Sequence, residues 1–200
     1  MSRARPGPRH SGRIELAPEA GPGSLTFESM TPADVDDVAA IEEASFPTPY
    51  TARMFHDDLR GGQPACWWVI RHDDARGDRG RAPIVAYAGY YLRRDRAHLA
   101  KIATHPAWRR RRLGEGLLLS TLLAARGQGA DSVTLEVRDG NTTAQRFYVK
   151  WGFVLLRRFE GYYEDTGEDG LILAFTGLAD RRTAGWLERE LAGIAIVPPG

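Results

Sequence analysis

The chain has 200 residues and a formal net charge of +1, with 42% hydrophobic and 26% charged side chains. This composition excludes wholesale disorder, and the length suits one domain with short tails. No apolar run approaches the roughly 20 residues of a membrane-spanning helix, and the basic N terminus lacks the apolar region of a secretory signal. The single cysteine, Cys66, excludes an internal disulfide and a cysteine-based zinc site. We therefore expect a cytoplasmic protein.

Arginine supplies 25 of the 27 basic residues, and Lys101 and Lys150 are the only lysines. A bias this general reflects composition more than chemistry, so arginines are informative only where they cluster. They do so within residues 3–13 and at 109–112. The near-neutral net charge gives no overall signature of a nucleic-acid-binding protein.

The first 24 residues hold four prolines and four glycines without apolar periodicity, which predicts a flexible basic tail. An alternating strand follows at 25–30. Thr31 is placed to cap a helix that has Pro32 at its first position, and the segment 46–50 ends that helix. Thr51 then caps a second helix. Order is therefore expected to begin near residue 25.

The remainder of the chain alternates between strand and helix patterns. The predicted strands are 66–70, 84–92, 98–104, 132–137, 154–159 and 171–175, and the predicted helices are 113–126, 141–151 and 186–191. The crossover that joins 98–104 to 132–137 has the length that connects two parallel neighbours. We expect a tail over 1–24, one mixed α/β domain over 25–176, and a C-terminal extension with a short helix over 177–200.

The segment 108–114 lies between a predicted strand and a predicted helix N terminus. Free backbone N–H groups and the positive end of the helix dipole can hold a phosphate there. Four consecutive arginines would add charge and bidentate hydrogen-bond donors for a pyrophosphate. The residues alone fit a solvated basic turn equally well.

Four stretches, taken together and in order, resemble one known family: 46–51, 102–114, 135–153 and 161–174. On these stretches the chain resembles the GNAT N-acetyltransferases over residues 25–175, about three quarters of its length. Within that superfamily it is most similar to the bacterial ribosomal-protein-alanine N-acetyltransferases (RimI type). The resemblance implies the GNAT fold, an α/β (α+β) architecture with a mixed central sheet of about seven strands, a parallel splayed pair and flanking helices.

One position departs from the family's acetyl-CoA motif, which reads Arg/Gln-x-x-Gly-x-Gly. Without gaps, Arg109 aligns with the opening residue, Gly114 with the second glycine, and Arg112 with the first glycine. A rival alignment over 111–116 restores both glycines but needs an insertion and a compensating deletion. In the gapless alignment, Arg112 must either keep a negative φ with its Cβ outward or tolerate some strain.

The resemblance implies two catalytic residues. Glu136 alternates with Leu135 and Val137, so it faces away from their side of the sheet. Its ordinary role would be a solvated strand carboxylate, whereas the resemblance makes it the general base that takes a proton from the acceptor amine. Tyr148 would ordinarily be a packed aromatic residue, and the resemblance makes it the general acid for the CoA thiolate.

The resemblance also implies acetyl-CoA as cosubstrate and assigns residues that bind it. These are Ile102, Ala103, Thr104, Arg109, Arg110, Arg111, Arg112, Leu113, Gly114, Glu115 and Asn141. Asn141 is by position a helix N-cap as well. The acceptor is expected to meet Phe46, Tyr50, Tyr162 and Tyr163, any of which could instead serve packing. The five histidines show no metal-ligand spacing, so no metal is expected, and Cys66 is expected to fill core space rather than act as a nucleophile.

Three functions remain open at this point. The first is acetyl transfer, by direct attack in a ternary complex, to the N-terminal α-amine of a protein, with a small-subunit ribosomal protein as the implied acceptor. Deprotonating an α-amine at pH 7 costs about 1–1.4 kcal/mol, against about 4.6 kcal/mol for a lysine side chain, which favours the first task for one carboxylate base. The second is acetylation of a small-molecule amine. The third is a non-catalytic ribosome- or RNA-binding module, which the near-neutral charge disfavours.

Overall fold

The computed structural model describes residues 12–15, 24–61, 65–72 and 81–194. Within them one sheet contains eight strands: β1 (Gly12–Glu15), β2 (Ser24–Ser29), β3 (Ala65–His72), β4 (Ile84–Arg93), β5 (Arg96–Thr104), β6 (Ser132–Arg138), β7 (Val154–Tyr163) and β8 (Glu168–Thr176). The α-helices are α1 (Val35–Glu43), α2 (Ala52–Leu59), α3 (Leu113–Gly127), α4 (Thr142–Lys150) and α5 (Arg181–Ala192).

The strand order across the sheet is β1-β2-β3-β4-β5-β6-β8-β7. All neighbours run antiparallel except β5 and β6, which run parallel and are joined through α3. The predicted mixed sheet with one parallel pair and flanking helices is therefore confirmed.

The first strand lies where the sequence predicts a tail. Gly12–Glu15 pairs antiparallel with β2, with Gly12 opposite Phe27 and Glu15 opposite Ser24. The prediction of an unstructured tail is wrong for these four residues, because backbone hydrogen bonding to an open strand edge requires no apolar pattern. The rest of the predicted tail, 1–11 and 16–23, lies outside the described residues.

The two faces of the sheet carry different helices. On one face, α1 and α2 cover a core that includes Val38, Phe55 and Tyr87, with the rings of Phe55 and Tyr87 5.8 Å apart. On the other face, α3, α4 and α5 cover a larger core that includes Leu118 of α3 and Leu135 of β6. We call these the α1/α2 face and the α3 face.

Local capping signals explain two helix starts. The backbone N–H and the hydroxyl of Thr31 both donate to the Asp34 carboxylate at 2.8 Å, so Thr31 caps as predicted, although the first turn, Pro32–Asp34, is 3₁₀. The Asn141 side chain accepts from the Ala144 N–H at 3.1 Å and begins α4.

The C-terminal helix packs on the domain. Trp186 of α5 stacks on Phe175 of β8 at 6.4 Å and meets Trp151 at 6.2 Å. Leu187 is fully buried in the α3-face core. The predicted short helix is present and longer than 186–191, and residues 195–200 lie outside the described part of the chain.

The parallel pair is bonded over only part of its length. Among the described residues, β5 and β6 pair at Arg96–His98 with Ser132–Thr134, and we call this the paired half. Beyond it the strands separate, and 99–104 and 135–138 form the splayed half. β5 also carries one extra residue, Ala100, where its register with β4 shifts. The sheet therefore opens at its centre.

Candidate active site at the splayed strands

The splayed half of β5 presents an open backbone edge. Residues 102–104 pair with β4 on one side, through Ile102 with Ala88 and Thr104 with Ala86, while their other side faces the gap toward β6. Backbone N–H and C=O groups along such an edge are available to hydrogen-bond with a ligand or with water. Ile102, Ala103 and Thr104, predicted to bind a pantetheine arm, thus lie where an extended amide-containing ligand can pair with the strand.

Glu136 lies at the start of the splayed half of β6. Leu135 and Val137 are buried in the α3-face core, so the Glu136 side chain points to the α1/α2 face, as the alternation predicts. Its carboxylate is 29% exposed, and Oε2 lies 3.1 Å from Nε2 of His98. Glu136 is therefore a partly solvated carboxylate held at the opening between the strands.

His98 is a site residue that the sequence analysis missed. Its Nδ1 lies 3.1 Å from the hydroxyl of Thr134, which is its partner in the parallel register. Since a carboxylate only accepts hydrogen bonds, Nε2 carries the proton toward Glu136, and a neutral ring then accepts from the Thr134 hydroxyl at Nδ1. A signal was present, because a parallel pairing of 98–104 with 132–137 brings His98 beside Thr134, two residues before Glu136.

Tyr148 lies on the other side of the sheet. It is 8% exposed on α4, and its ring meets Phe147 at 5.3 Å and Phe153 at 5.4 Å within the α3-face core. Burial raises the pKa of the Tyr148 hydroxyl above its ordinary value, so the group carries its proton at neutral pH. Glu136 and Tyr148 thus lie on opposite faces of the sheet.

The arginine loop before α3 has two left-handed residues. Arg110 has φ +61° and Arg112 has φ +64°, ψ 1°. Glycine adopts this conformation freely and arginine does not. The sequence left two alternatives for Arg112 at this glycine position, a negative φ or a strained backbone. The observed φ is positive, so the strained backbone is the one present. Arg112 holds a glycine-like backbone, which favours the gapless alignment.

Arg109 and Arg112 of this loop hydrogen-bond to other parts of the protein. Arg109 donates to the Thr104 carbonyl at 3.3 Å and to the Ser45 hydroxyl at 2.9 Å, joining the loop to β5 and to the end of α1. Arg112 donates to Glu115 at 3.2 Å and to the Gly193 carbonyl at 3.3 Å. Arg110 is exposed. The loop therefore offers a helix N terminus flanked by guanidinium groups, of which these two also tie the loop to its neighbours.

Other predicted cosubstrate contacts surround this loop. Leu113 is buried and Gly114 is half-buried in the first turn of α3, where amide groups lack intrahelical partners. Glu115 bonds Lys150 of α4 at 2.5 Å as well as Arg112. Asn141, at the start of the same α4, uses its side-chain oxygen as a cap. Glu115 therefore links α3 to the C-terminal end of α4.

Phe46 and Tyr50, predicted to meet the acceptor, pack against Lys101 of β5, which is ion-paired with Glu42. Lys101 lies over both rings, 4.4 and 4.6 Å from their centres, and bonds Glu42 at 2.8 Å. Glu42 is fully buried and also accepts from the Tyr50 N–H at 2.9 Å. The segment between α1 and α2 is thereby fixed beside the splayed half on the α1/α2 face.

A bridge joins that segment to the β7–β8 hairpin. The Thr48 hydroxyl donates to the Asp165 carboxylate at 2.7 Å, and Arg138 donates to the same carboxylate at 2.7 Å. These hydrogen bonds lower the pKa of Asp165 to about 2, and the one from Arg138 has the larger effect. We call this the Thr48–Asp165 bridge. It spans two elements that flank the splayed strands.

Tyr162 and Tyr163 lie at the end of β7 near the same hairpin. The Arg138 guanidinium lies 3.9 Å from the centre of the Tyr163 ring. Tyr162 packs so closely on Gly170 that a Cβ there would lie 2.7 Å from its ring. Burial first, and then the charge of Glu136, raise the pKa of Tyr162. Both tyrosines therefore lie close enough to Glu136 to feel its charge.

The remaining sequence predictions concern absences and Cys66. The described residues contain no cluster of three or more His, Cys, Asp and Glu side chains able to hold a metal ion. In the same residues no helix is long and apolar enough to cross a membrane. Cys66 is half-buried on β3, where its thiol donates to Gln128 at 3.0 Å, and burial raises the pKa of that thiol.

Known proteins share this sequence pattern. A model described as Acetyltransferase (GNAT) family matches residues 35–153. A Bacillus subtilis protein provisionally named ribosomal protein bS18-alanine N-acetyltransferase is 33% identical over 148 residues, 74% of this chain and 93% of that protein. An N-alpha-acetyltransferase of Sulfurisphaera tokodaii is 27% identical over 147 residues, 70% of this chain and 86% of its own length.

Solved structures share the architecture. The ribosomal-protein-S18-alanine N-acetyltransferase from Escherichia coli superposes with a TM-score of 0.66 at 25% identity, covering 78% of this chain and 97% of that one. Arabidopsis thaliana NAA60 in complex with acetyl-CoA gives a TM-score of 0.66 at 19% identity, covering 76% and 98%, a likeness in fold alone.

Proposed function

The chain belongs to the GNAT acetyltransferase family and is an acetyl-CoA-dependent N-acetyltransferase, and on this premise we propose that its acceptor is the N-terminal α-amine of a protein. The observation that carries the proposal is the partly solvated Glu136 carboxylate, clamped by His98 at the opening between β5 and β6. An α-amine is within reach of one such base, because its proton is far more easily lost at neutral pH than that of a lysine side chain.

The residues around the opening fit acetyl-CoA. The open edge of 102–104 can pair with the amide groups of the pantetheine arm, and the N terminus of α3 with its arginine loop suits the pyrophosphate. The left-handed backbone at Arg110 and Arg112 turns the loop at that helix start. When bound, acetyl-CoA supplies the activated acetyl thioester.

We assign the base role to Glu136. Direct attack by the acceptor nitrogen requires removal of its proton, and this carboxylate faces the α1/α2 face beside Tyr162 and Tyr163. His98 acts as a positioning residue, because its Nε2–H holds Oε2 and leaves Oε1 for the amine or a bridging water. Thr134 fixes the ring tautomer.

We assign the acid role to Tyr148. The departing thiolate needs a proton, and the buried Tyr148 hydroxyl retains its proton at neutral pH. Because Tyr148 belongs to the α3 face and Glu136 to the α1/α2 face, the amine proton and the thiolate proton are handled on separate sides of the sheet. Acetyl transfer through the opening then requires no covalent enzyme intermediate.

The acceptor entrance is assigned to Phe46, Tyr50, Tyr162 and Tyr163, which border the same face. The Thr48–Asp165 bridge closes one side of that entrance. Two relatives named for ribosomal protein bS18-alanine acetylation support a small-subunit ribosomal protein beginning with alanine as the natural acceptor.

A peptide panel tests the proposal. The enzyme is incubated with acetyl-CoA and matched peptides that have a free N terminus, a blocked N terminus with internal lysines, or neither amine, and products are located by mass spectrometry. Acetylation of the free N termini is expected. Modification confined to internal lysines would contradict the α-amine assignment.

A second arm addresses the small-molecule alternative. Polyamines, amino acids and an aminoglycoside are assayed beside the peptides under the same conditions. A kcat/KM for any of these far above that of every peptide would replace the protein acceptor with a small amine. Glu136→Gln serves as the control, since its residual rate defines acetylation that does not depend on the assigned base.

A further inference from the structure

Lys101 is a charged residue beside the opening that the assigned chemistry does not use. It lies in the splayed half of β5, and its side chain is only 14% exposed. Its Nζ lies 4.4 Å from the centre of the Phe46 ring, 4.6 Å from that of Tyr50, and 2.8 Å from the Glu42 carboxylate. The lysine therefore occupies the space between β5 and two of the aromatic rings assigned to the acceptor entrance.

The bulge in β5 brings Lys101 level with the proposed base. His98 pairs with Thr134, and Glu136 follows two residues later on β6. On β5, Lys101 follows three residues after His98, but one of these is the extra residue Ala100. The contacts of the ammonium with the segment between α1 and α2 put it on the α1/α2 face, which is also the face of Glu136. Lys101 and Glu136 therefore flank the opening from opposite strands on one face.

A buried ion pair is a weak source of stability at this position. Glu42 is fully buried, and among the described residues its Oε2 has no hydrogen-bond partner. Taking two charges out of water costs free energy that their attraction often does not recover, so an apolar pair of similar volume is frequently as stable or more stable. A charged pair retained beside the opening therefore points to recognition of a substrate.

The ion pair presents one accessible charge and a filled volume. Glu42 is shielded by the protein, so the accessible charge of the pair is the Lys101 ammonium. The four-carbon stem and the ammonium take up room beside the rings of Phe46 and Tyr50 that a shorter residue would leave open. Both the size and the charge of Lys101 can therefore act on a side chain that enters between these rings and β5.

We propose that Lys101, fixed by Glu42, limits the first side chain of the acceptor to a small uncharged group. This specificity role rests on the proposed α-amine function, because the first side chain branches from the carbon bonded to the nitrogen that Glu136 deprotonates. The lysine stem excludes a long side chain by its volume, and the ammonium disfavours a cationic side chain by repulsion. Alanine, which is named as the acetylated residue for two relatives, meets both conditions.

Peptides that differ only in their first residue test the proposal on the full-length enzyme. The acceptors begin with alanine, serine, methionine, leucine or arginine and contain no lysine. The wild type is expected to favour the alanine and serine peptides over the methionine and leucine peptides by about tenfold or more in kcat/KM, and over the arginine peptide by a larger factor. A wild type that accepts leucine or arginine as readily as alanine would overturn the proposal.

Two double variants separate volume from charge. Each carries Glu42→Gln, so that no unpaired carboxylate stays buried. Lys101→Ala with Glu42→Gln opens the volume, and kcat/KM for the methionine and leucine peptides is expected to come within a few-fold of that for the alanine peptide. Lys101→Met with Glu42→Gln removes the charge and keeps the length. The arginine peptide is then expected to gain about tenfold relative to the leucine peptide, while methionine and leucine stay disfavoured.

Two single variants complete the set. Lys101→Arg keeps the charge and adds volume, and it covers the case in which the double variants fail to fold. It is expected to lower kcat/KM for the serine peptide relative to the alanine peptide by a few-fold. Arg182→Gln removes an exposed cation from α5, serves as the matched control, and is expected to keep the wild-type order.

A binding measurement separates this proposal from the proposed function. The Nα-acetylated alanine and leucine peptides are titrated calorimetrically into the enzyme with CoA, which needs no turnover. If no N terminus is acetylated, yet the alanine product binds more tightly and the leucine product gains affinity in the Lys101→Ala double variant, the α-amine function fails and the role of Lys101 stands. An order of first residues that is unchanged in both double variants would show that Lys101 only packs against Phe46 and Tyr50, and would overturn the proposal.

Discussion

The two halves of the β5–β6 pair differ in backbone hydrogen bonding. In the paired half, backbone bonds hold Arg96–His98 against Ser132–Thr134, so side chains on that stretch keep fixed relative positions. In the splayed half, the edge of 102–104 and the carboxylate of Glu136 face an opening. One half of the same two strands is bonded and fixed, and the other half leaves an open gap.

The proposed base, Glu136, lies next to the border between the halves. His98 is the last residue of β5 that pairs with β6, and its partner there is Thr134. The His98 ring also contacts the Thr134 hydroxyl. Glu136 lies two residues further along β6, and its Oε2 is held in place by Nε2 of His98 at 3.1 Å. Rigid support beside an open gap lets a base stay oriented while its surroundings admit substrate. Substitutions on either side of that border should therefore differ in their effects.

The largest effect is expected in the splayed half. Glu136→Gln keeps the shape of the side chain and removes the proton acceptor, so kcat for an N-terminal peptide should fall by about 10²–10⁴-fold. Steady-state kinetics over both substrates measures it. The KM for acetyl-CoA and the thermal midpoint should stay near wild type. A kcat within a few-fold of wild type would remove Glu136 from the base role.

A smaller loss is expected from the paired side of the border. His98→Ala removes a hydrogen bond to a charged group, typically about 1.5–3 kcal/mol, and should lower kcat by about tenfold or more without changing the KM for acetyl-CoA. His98→Gln offers an amide N–H to the same carboxylate and should recover part of the rate. If Gln and Ala behave alike, His98 fills space and does not orient the base.

The loop beyond the splayed half is tested at Arg112. Arg112→Ala keeps a side chain in the left-handed conformation and loses the guanidinium, and should raise the KM for acetyl-CoA by roughly tenfold. Arg112→Gly relieves the backbone and should unfold at a higher temperature than the alanine variant. An unaltered KM in both variants would show that Arg112 only ties the loop to Glu115 and Gly193.

A variant of the Thr48–Asp165 bridge tests whether this contact beside the splayed half depends on the charge of Asp165. Because the pKa of Asp165 is lowered to about 2 by its bonds from Arg138 and Thr48, its contribution is present above the ordinary carboxyl value of about 3.9 and is lost as pH falls toward 2. Carboxyl titration by NMR should therefore show Asp165 ionised at pH 3. Asp165→Asn should raise the peptide KM a few-fold, with Glu164→Gln, which removes an exposed carboxylate on the same turn, as the neighbouring control.

The smallest effect is expected far from the border, at Cys66 on β3. Burial raises the pKa of this thiol, so it remains protonated at pH 7.5 and should react with iodoacetamide more slowly than free cysteine. Cys66→Ala should keep kcat within about twofold of wild type, since a buried cysteine behaves as a small apolar side chain. A large loss of kcat would contradict the ternary-complex reaction.

Predictions from sequence succeeded where the determining residues are neighbours. Asn141 begins α4 because its side chain reaches an amide three positions on, and Thr31 with Asp34 begins the segment before α1. The parallel pairing of β5 with β6 followed from the length of the crossover alone. The strand at Gly12–Glu15 was missed because its partner, β2, supplies the bonds and the strand itself has no pattern.

By itself, the sequence determined the fold class, the order of elements from β2 onward and the face that Glu136 occupies, since periodicity, caps and crossover length act over a few positions or one connection. Only the tertiary structure decided which side chains meet there. Thr48 reaches Asp165 across 117 positions, and His98 reaches Thr134 across 36. Contacts of that separation depend on where the strands part and how hairpins fold back, which no local pattern encodes. His98, the residue beside Glu136 that the sequence analysis missed, depends on how these strands pair and part.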